Sequence, residues 1–263
     1  MGFQPIVPFS GFAGWAFLQR TQPAQQKAFD ATPEVQRDSA YFSENIGKVS
    51  SAQELVNDFR LLKVALGAFG LDDDLPNKAL IRKVLEEGTR DPESFANRLV
   101  DKRYAALAEA FGFDLGTPKS KSPDFAPEML RTYRNRQFEI AVGIQDQDMR
   151  LALALERDLA ALTGGGNTAD GKWFSVMGNP PLRKVFETAL GLPSTLGALD
   201  IDQQLKVFRK RATAVFGNGE VDQFSTPQAR EKLNQLFLLR SQITAGQASM
   251  SSGTIALTLL QPG

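Results

Sequence analysis

The sequence predicts an all-α protein, a multi-helix bundle of about nine to eleven helices in two helical lobes, with no substantial sheet. Two observations predict this class. Apolar residues recur at helical spacing through the body of the chain, and capping residues stand at the ends of most of these stretches. Residues 255–259 alternate as a strand would, but this segment is too short to distinguish a strand from a helix.

The clearest element is a helix predicted over residues 52–69. Ser51 and Glu54 have the spacing of a capping box. Gly70 and Leu71 follow the last apolar position, as they do where a helix ends in a left-handed glycine and a hydrophobic contact. One apolar stripe is predicted to be buried, formed by Leu55, Phe59, Leu62, Leu66 and Phe69.

The first lobe is predicted over residues 30–113 and contains three other helical stretches. Thr32-Pro33 supplies an N-cap followed by proline at the first helical position. A second stretch runs over residues 77–87. Asp91-Pro92 begins a third, which breaks near Asp101 and ends at residues 112–113. Residues 114–127 contain Gly116, three prolines and three serine or threonine residues, and they are interpreted as the loop between lobes.

The second lobe is predicted over residues 128–244, followed by an uncharged tail over 245–263. A long helical stretch over about 127–162 breaks near Gln145 and ends at the glycines of 164–166. Asn179-Pro180, Asp200 or Asp202, and Thr226-Pro227 each begin a helix. These helices are predicted to end at residues 191–193, at residues 216–217 and near residue 244.

Two helical segments resemble each other within the chain. Residues 61–71 and 182–192 both contain Lys-Val near their start and finish in Gly-Leu. Convergence on common helix-ending residues is the simpler interpretation, and an ancient duplication is the alternative. No segment of 20–50 residues recurs three times, so a solenoid is not indicated.

The composition excludes several kinds of site. The chain has no Cys and no His, so thiolate nucleophiles, imidazole bases and the usual zinc sites are absent. Lys plus Arg equals Asp plus Glu at 30 each, and this balance argues against nucleic-acid binding. Arg131, Arg134 and Arg136 with Tyr133 form only a small basic patch. We therefore expect no catalytic residue, no metal, no cofactor and no nucleic-acid partner.

Three patterns nevertheless deserve weighing as chemical sites. Gly166 to Lys172 matches a phosphate-loop pattern, but Trp173 stands where Ser or Thr would bind magnesium, and a helix is predicted before it. Asp72, Asp73 and Asp74 are adjacent and are interpreted as a solvated loop. A solvated face with local ion pairs is the preferred interpretation of the four acidic residues of the long helical stretch, which are Asp146, Asp148, Glu156 and Asp158.

Both ends of the sequence lack charged side chains. All Lys, Arg, Asp and Glu residues lie between Arg20 and Arg240. Neither end has the long apolar run of a membrane span, and the amino end lacks the basic region of a secretory signal. The predicted amino-terminal segment covers residues 1–29, and its first 19 residues carry five aromatic residues that we interpret as a partner interface, namely Phe3, Phe9, Phe12, Trp15 and Phe17. The alternative is that this segment packs on the protein's own core.

A large part of the chain resembles a known protein family. The residues that carry the resemblance are 41–42, 45–46, 48–49, 58, 60–61, 68–71, 82–88, 94–97, 99 and 101–104, with a looser second set at 150–153, 156–157, 189–193 and 200–202. Over about residues 30–217 the chain resembles the bacterial family domain of unknown function twelve-seventeen. Members of that family occur in flagellar gene clusters, and no activity is established for them.

The resemblance implies a flagellum-associated role and supplies no catalytic residue. We therefore expect a non-enzymatic structural or assembly protein that binds a flagellar or export-apparatus protein, and self-association through the termini is a further expectation. The first alternative is a cytoplasmic flagellar regulator or export chaperone. The second is a carboxylate-based enzyme. Export without a cleaved signal and retention in the cytoplasm are both compatible with the sequence.

Overall fold

The computed structural model describes residues 2–164 and 166–260, with side-chain environments described as far as residue 246. Over these residues the chain forms thirteen α-helices, eleven of them seven or more residues long, and no strand. The all-α prediction is confirmed. The helices are α1 (Gly11–Asp30), α2 (Pro33–Asn45), α3 (Ala52–Asn57), α4 (Phe59–Phe69), α5 (Lys78–Glu87), α6 (Phe95–Arg98), α7 (Arg103–Phe111), α8 (Phe125–Gln145), α9 (Gln147–Gly164), α10 (Ala169–Met177), α11 (Pro180–Leu190), α12 (Ile201–Phe216) and α13 (Pro227–Leu260).

The chain divides into two compact units. Unit 1 comprises Met1–Ile6 and Arg20–Gln145, and unit 2 comprises Val7–Gln19 and Asp146–Gly263. This division differs from the lobes expected from the sequence, which were separated at residues 114–127. The difference arises because α8 packs more extensively on α4 than on any other helix, so α8 belongs to unit 1.

Unit 1 is built around α4, which packs against α2, α3, α7 and α8. Leu55, Leu62 and Leu66 are fully buried in its core, as predicted. Two other members of the predicted stripe are not buried in this way. Phe59 is 56% exposed, and Phe69 is only partly buried.

The predicted continuous helix over 52–69 is wrong, because Asp58 interrupts it. Asp58 has an extended backbone, and its Oδ1 accepts hydrogen bonds from the backbone N–H groups of Arg60 and Leu61, both at 3.0 Å. Its Oδ2 accepts a hydrogen bond from the Tyr41 hydroxyl at 2.7 Å. Asp58 therefore caps α4, and the change of direction there turns Phe59 towards solvent.

Unit 2 is built around α11, which packs against α9, α10, α12 and α13. Its core contains a chain of aromatic contacts. Trp173 packs edge-on against Phe186, with ring centroids 5.5 Å apart, and Phe186 packs edge-on against Phe224 at 5.5 Å. Such edge-to-face pairs add to the stabilisation that burial of the rings supplies.

Several predicted helix ends are confirmed, and others lie at different residues. Gly70, Gly112, Gly191 and Gly217 each follow a helix in the left-handed conformation. The helix expected from Asp91 begins instead at Phe95 and has only four residues. Ser94, and not Asp91, is the residue that precedes it. The helix α13 continues to Leu260 instead of ending near residue 244. The expected tail over 245–263 extends beyond the described side chains.

The stability of the protein at alkaline pH tests the contact between α7 and the turn of Asp72, Asp73 and Asp74 that follows α4. The Tyr104 hydroxyl donates to Asp74 Oδ2 at 2.7 Å, and burial, together with this bond, raises the pKa of Tyr104 to about 12. Because the folded pKa lies above the unfolded value of about 10, this stability is present below pH ~10 and is lost as pH rises towards ~12. Tyr104→Phe should lower the unfolding free energy at pH 8 by about 0.5–1.5 kcal/mol.

Urea denaturation of both proteins at pH 8, 10 and 11.5 measures this effect. The variant should lose less stability than the wild type between the two alkaline points. Parallel pH profiles would show that the Tyr104–Asp74 bond does not couple folding to ionisation.

Candidate docking surface

The helix α1 places some of the amino-terminal aromatic residues in the core and others on the surface. Gly11, Gly14, Trp15 and Leu18 are buried, whereas the intervening Phe12 is exposed. This i, i+3, i+4, i+7 spacing places the four buried residues on one face of the helix. The two glycines are sites of close approach, because a Cβ on Gly11 would overlap the Gln242 side chain and one on Gly14 would overlap the Phe9 carbonyl.

Trp15 belongs to the core of unit 2. Its side chain is 1% exposed, and its indole Nε1 donates to Glu231 Oε2 at 3.1 Å. The amide of Gln19 donates to the same oxygen at 3.2 Å. The interpretation of Trp15 as an interface residue is therefore corrected: its ring is covered by its own unit.

Phe3 and Phe17 are half-buried and form no exposed patch of their own. Phe3 lines a cavity of about 480 Å³ in unit 1, together with Phe29, Val35 and Ile144. Phe17 lies on the half-buried side of α1. Of the five predicted interface residues, only Phe9 and Phe12 are largely exposed, at 60% and 46%.

Two aliphatic residues of α13 are exposed to a similar degree. Leu239 and Ile243, four residues apart on one face of the helix, are 55% and 51% exposed. The contact of Gly11 with Gln242 brings the start of α1 alongside this part of α13. We group Phe9 and Phe12 with Leu239 and Ile243 under the name terminal apolar face, because all four belong to unit 2 and are about half exposed.

The terminal apolar face carries no charge of its own. Three of its four residues come from the two segments that lack ionisable side chains, residues 1–19 and 241–263, and the fourth, Leu239, lies next to Arg240. The nearest charged residue on α13 is Arg240, and its guanidinium is directed inwards, donating to the Ala189 carbonyl at 2.8 Å. A partner could thus cover this face without burying an unpaired charge.

Two polar residues that line the cavity beside Phe3, Glu34 and Tyr133, are bonded to the side chains of Lys63 and Asp38. Lys63 Nζ lies 2.8 Å from Asp38 Oδ2 and 3.1 Å from Glu34 Oε1. The Tyr133 hydroxyl donates to the same Asp38 oxygen at 3.2 Å, and burial and the Asp38 charge raise the pKa of Tyr133. These groups serve the packing of α2 against α4 and α8.

The glycine-rich sequence before Trp173 begins a helix. The Thr168 side chain accepts a hydrogen bond from the Gly171 N–H at 3.1 Å, so it caps α10. Lys172 is buried and its Nζ lies 2.5 Å from Asp222 Oδ1. Trp173 is buried and donates to the Gly219 carbonyl at 2.9 Å. The contacts of Lys172 and Trp173 therefore hold α10 against the segment that follows α12.

The candidate acidic residues likewise have structural partners. Asp146 caps α9 through the backbone N–H groups of Asp148 and Met149. Glu156 is paired with Arg230 at 3.1 Å, and burial raises the pKa of Glu156. Asp158 is paired with Arg157 at 2.6 Å. Among the side chains that the structure describes, no three acidic groups converge in a manner that could hold a metal ion.

The basic patch expected on α8 is dispersed by the helix. Arg131 is exposed beside a second cavity of unit 1, which has a volume of about 490 Å³. Arg134 donates to the Ser39 hydroxyl at 3.2 Å, Tyr133 is buried, and Arg136 lies against the end of α4. These residues do not present one basic surface.

The fold and these contacts define an all-helical protein of two multi-helix units. In the described part of the chain, no helix has both the length and the apolar character needed to cross a bilayer. The chain belongs to the family described as Protein of unknown function (DUF1217), whose model matches residues 68–229. This match begins later and ends later than the resemblance over 30–217.

A solved structure has the same fold. The chain is 26% identical to a protein from Agrobacterium tumefaciens whose crystal structure was determined by the Northeast Structural Genomics Consortium. The likeness covers 92% of this chain and 99% of that one, with a TM-score of 0.75. No curated protein matches the chain.

Proposed function

We propose that this chain is a non-enzymatic, flagellum-associated structural or assembly protein that acts through protein–protein contacts. The observation that carries the contact part is the terminal apolar face, where two phenylalanines and two aliphatic residues are about half exposed. Aromatic side chains supply large buried area at low entropic cost when an interface forms. The flagellar part depends on the family's occurrence in flagellar gene clusters.

Removal of the gene and fractionation of the cells test the flagellar role. The deletion strain should swim less far in soft agar than its parent, and a plasmid copy should restore swimming. Detection of the protein in purified flagella supports the structural role, whereas retention in the cell supports the regulator or chaperone. Normal motility and normal flagella in the deletion strain would contradict the proposal.

Point variants test whether the terminal apolar face makes the contact. Phe12→Ser with Ile243→Ser should reduce swimming while leaving the melting temperature within about 2 °C of the wild type, because exposed positions change stability little. Phe59→Ser is the matched control, since Phe59 is similarly exposed but lies in unit 1. Equal motility of the face variant and the control would contradict a role for this face.

A further inference from the structure

Only one asparagine of this chain is followed by a glycine, the pair Asn218 and Gly219. The pair lies between the end of α12, where Gly217 is left-handed, and the short helical turn Val221–Ser225. The side chain of Asn218 is exposed to solvent. Asparagine is a thermolabile residue, because the next backbone nitrogen can attack its side-chain carbonyl carbon. A glycine in the next position leaves that nitrogen without the hindrance of a Cβ atom.

A hydrogen bond folds the Asn218 side chain back over the peptide that follows it. Its Oδ1 accepts from the Glu220 N–H at 2.9 Å, which is the turn that an asparagine forms with the backbone two residues on. This bond polarises the side-chain carbonyl, and it stabilises the negative charge that develops on Oδ1 when a nucleophile adds to Cγ. Because the nucleophile is the adjacent nitrogen of Gly219, the reaction is intramolecular and its effective concentration is high.

An aspartate precedes a glycine elsewhere in unit 2, at Asp170 and Gly171, and there the nitrogen is held differently. Gly171 lies in the first turn of α10, and its N–H donates to the Thr168 side chain at 3.1 Å. This nitrogen is therefore engaged by the helix cap, and the ionised carboxylate beside it is a poor acceptor for a nucleophile. The pair at 218 and 219 has both the more reactive side chain and a position outside the α-helices.

We propose that Asn218 is a site of spontaneous deamidation, a covalent modification that the chain performs on itself with water as the co-reactant. The Gly219 nitrogen forms a bond to Asn218 Cγ, the bond from Cγ to Nδ2 breaks, and Nδ2 leaves as ammonia with the proton that the Gly219 nitrogen loses. The product is a five-membered cyclic imide. Water then opens the ring: attack at the main-chain carbonyl gives isoaspartate, and attack at Cγ gives aspartate.

Gln223 favours the opening that gives isoaspartate. Its Nε2 donates to the main-chain carbonyl oxygen of Asn218 at 2.6 Å. A donor at this oxygen polarises the carbon that water attacks on the way to isoaspartate, and it stabilises the charge that forms on the oxygen. Isoaspartate is therefore expected as the main product of the folded chain.

Isoaspartate at this position alters a contact of the unit 2 core. The Gly219 carbonyl accepts a hydrogen bond from the indole N–H of Trp173 at 2.9 Å, and Trp173 is fully buried. In isoaspartate the main chain passes through the former side chain and gains one methylene group, which displaces this carbonyl from the ring. A buried N–H that loses its acceptor destabilises the fold. The aspartate product adds only a charge, near Glu220 and its partner Arg209 at 3.0 Å.

Incubation of the full chain at pH 9 and about 37 °C, followed by peptide mass spectrometry, tests the modification. The peptide that contains Asn218 should gain the mass difference between an amide and a carboxylic acid. Its conversion should be slower at pH 7, because the Gly219 nitrogen attacks after losing its proton. Peptides with Asn179, which precedes a proline, or with the buried Asn234 should keep their mass.

Asn218→Gln is the matched control, because its longer side chain closes the larger ring far more slowly, and the variant should keep its mass. The same incubation in concentrated urea gives the rate of the unfolded chain. A folded chain that keeps Asn218 intact while the unfolded chain is converted overturns the proposal. Conversion of Asn234 at the same rate as Asn218 overturns it as well.

Thermal unfolding of the aged protein tests the consequence for Trp173. Ion exchange separates the deamidated chain from the fresh chain, because it carries one additional negative charge. The deamidated chain should melt at a lower temperature than the fresh one, whereas Asn218→Asp, which has the charge without the added methylene, should melt close to it. Equal melting of all three contradicts the displacement of the Gly219 carbonyl. These outcomes are independent of the proposed flagellar role.

Discussion

Trp15→Ala is expected to lower the free energy of unfolding by about 3–5 kcal/mol, the largest effect of any single substitution considered for this chain. The indole is 1% exposed, and its Nε1 donates to Glu231. Truncation removes the buried ring and leaves a cavity that the surrounding helices fill only in part. In a chain of this size, the melting temperature should fall by roughly 6–15 °C.

Phe12→Ala, three residues earlier on the same helix, is the matched control. Phe12 is about half exposed, so its loss should change the unfolding free energy by no more than about 0.5 kcal/mol. Denaturant titration of both variants, followed by circular dichroism, measures the difference. Similar losses from the two variants would contradict the assignment of Trp15 to the core and of Phe12 to the surface.

This result bears on how the amino-terminal segment is to be tested. Deletion of residues 1–19 removes Trp15 and Leu18, which are both fully buried, together with the exposed Phe9 and Phe12. A truncated chain should therefore unfold at a lower temperature whether or not a partner binds there. Point variants at Phe9 and Phe12 separate the two roles that the sequence left as alternatives.

Leu62→Ala should destabilise the protein by about 2–5 kcal/mol, whereas Phe59→Ala should have an effect near zero. The two residues belong to one apolar stripe in the sequence, yet Leu62 is fully buried in the core of unit 1 and Phe59 is more than half exposed. The difference follows from the cap at Asp58, which ends α3 and begins α4. Chemical denaturation of the two variants at neutral pH provides the comparison.

A large loss from Phe59→Ala would show that the predicted continuous helix over 52–69 is the better description. A small loss from Leu62→Ala would contradict the burial of α4 at the centre of unit 1. The double variant is expected to give the sum of the single effects only if the two side chains do not touch.

The helix ends that the sequence predicted correctly depend on groups close together in the chain. Asn179 caps α11 through its own side chain, which accepts a hydrogen bond from the Leu182 N–H. Gly191 ends the same helix because a glycine tolerates a positive φ, here 65°. These interactions span three to six residues, so a pattern in the sequence is enough to indicate them.

The break at Asp58 and the start of α1 depended on contacts between distant residues. Asp58 bonds to Tyr41, 17 residues away, in addition to capping α4. Glycine disfavours a helix, yet Gly11 and Gly14 lie in α1, where the chain approaches Gln242 and the Phe9 carbonyl too closely for a side chain. No local propensity indicates such an approach.

The candidate site shows the same distinction between local and distant causes. The charge-free ends and the aromatic residues of the amino end are properties of the sequence, and they led to Phe9 and Phe12. Leu239 and Ile243 were missed, because a leucine and an isoleucine in an apolar helix carry no signal of exposure. Which stripe of α13 remains exposed to solvent depends on which helices pack against its other faces.

The sequence by itself determined the helical class, most helix ends and the lack of charge at both termini, because each follows from residue identity or from hydrogen bonds within one turn. The tertiary structure alone decided that Trp15 is buried and Phe12 exposed, and that α8 belongs with α4. Burial is set by the helix that lies across a given face, and that helix is usually distant in the chain. The exposed apolar surface of this protein is therefore a consequence of packing that its residues permit but do not individually specify.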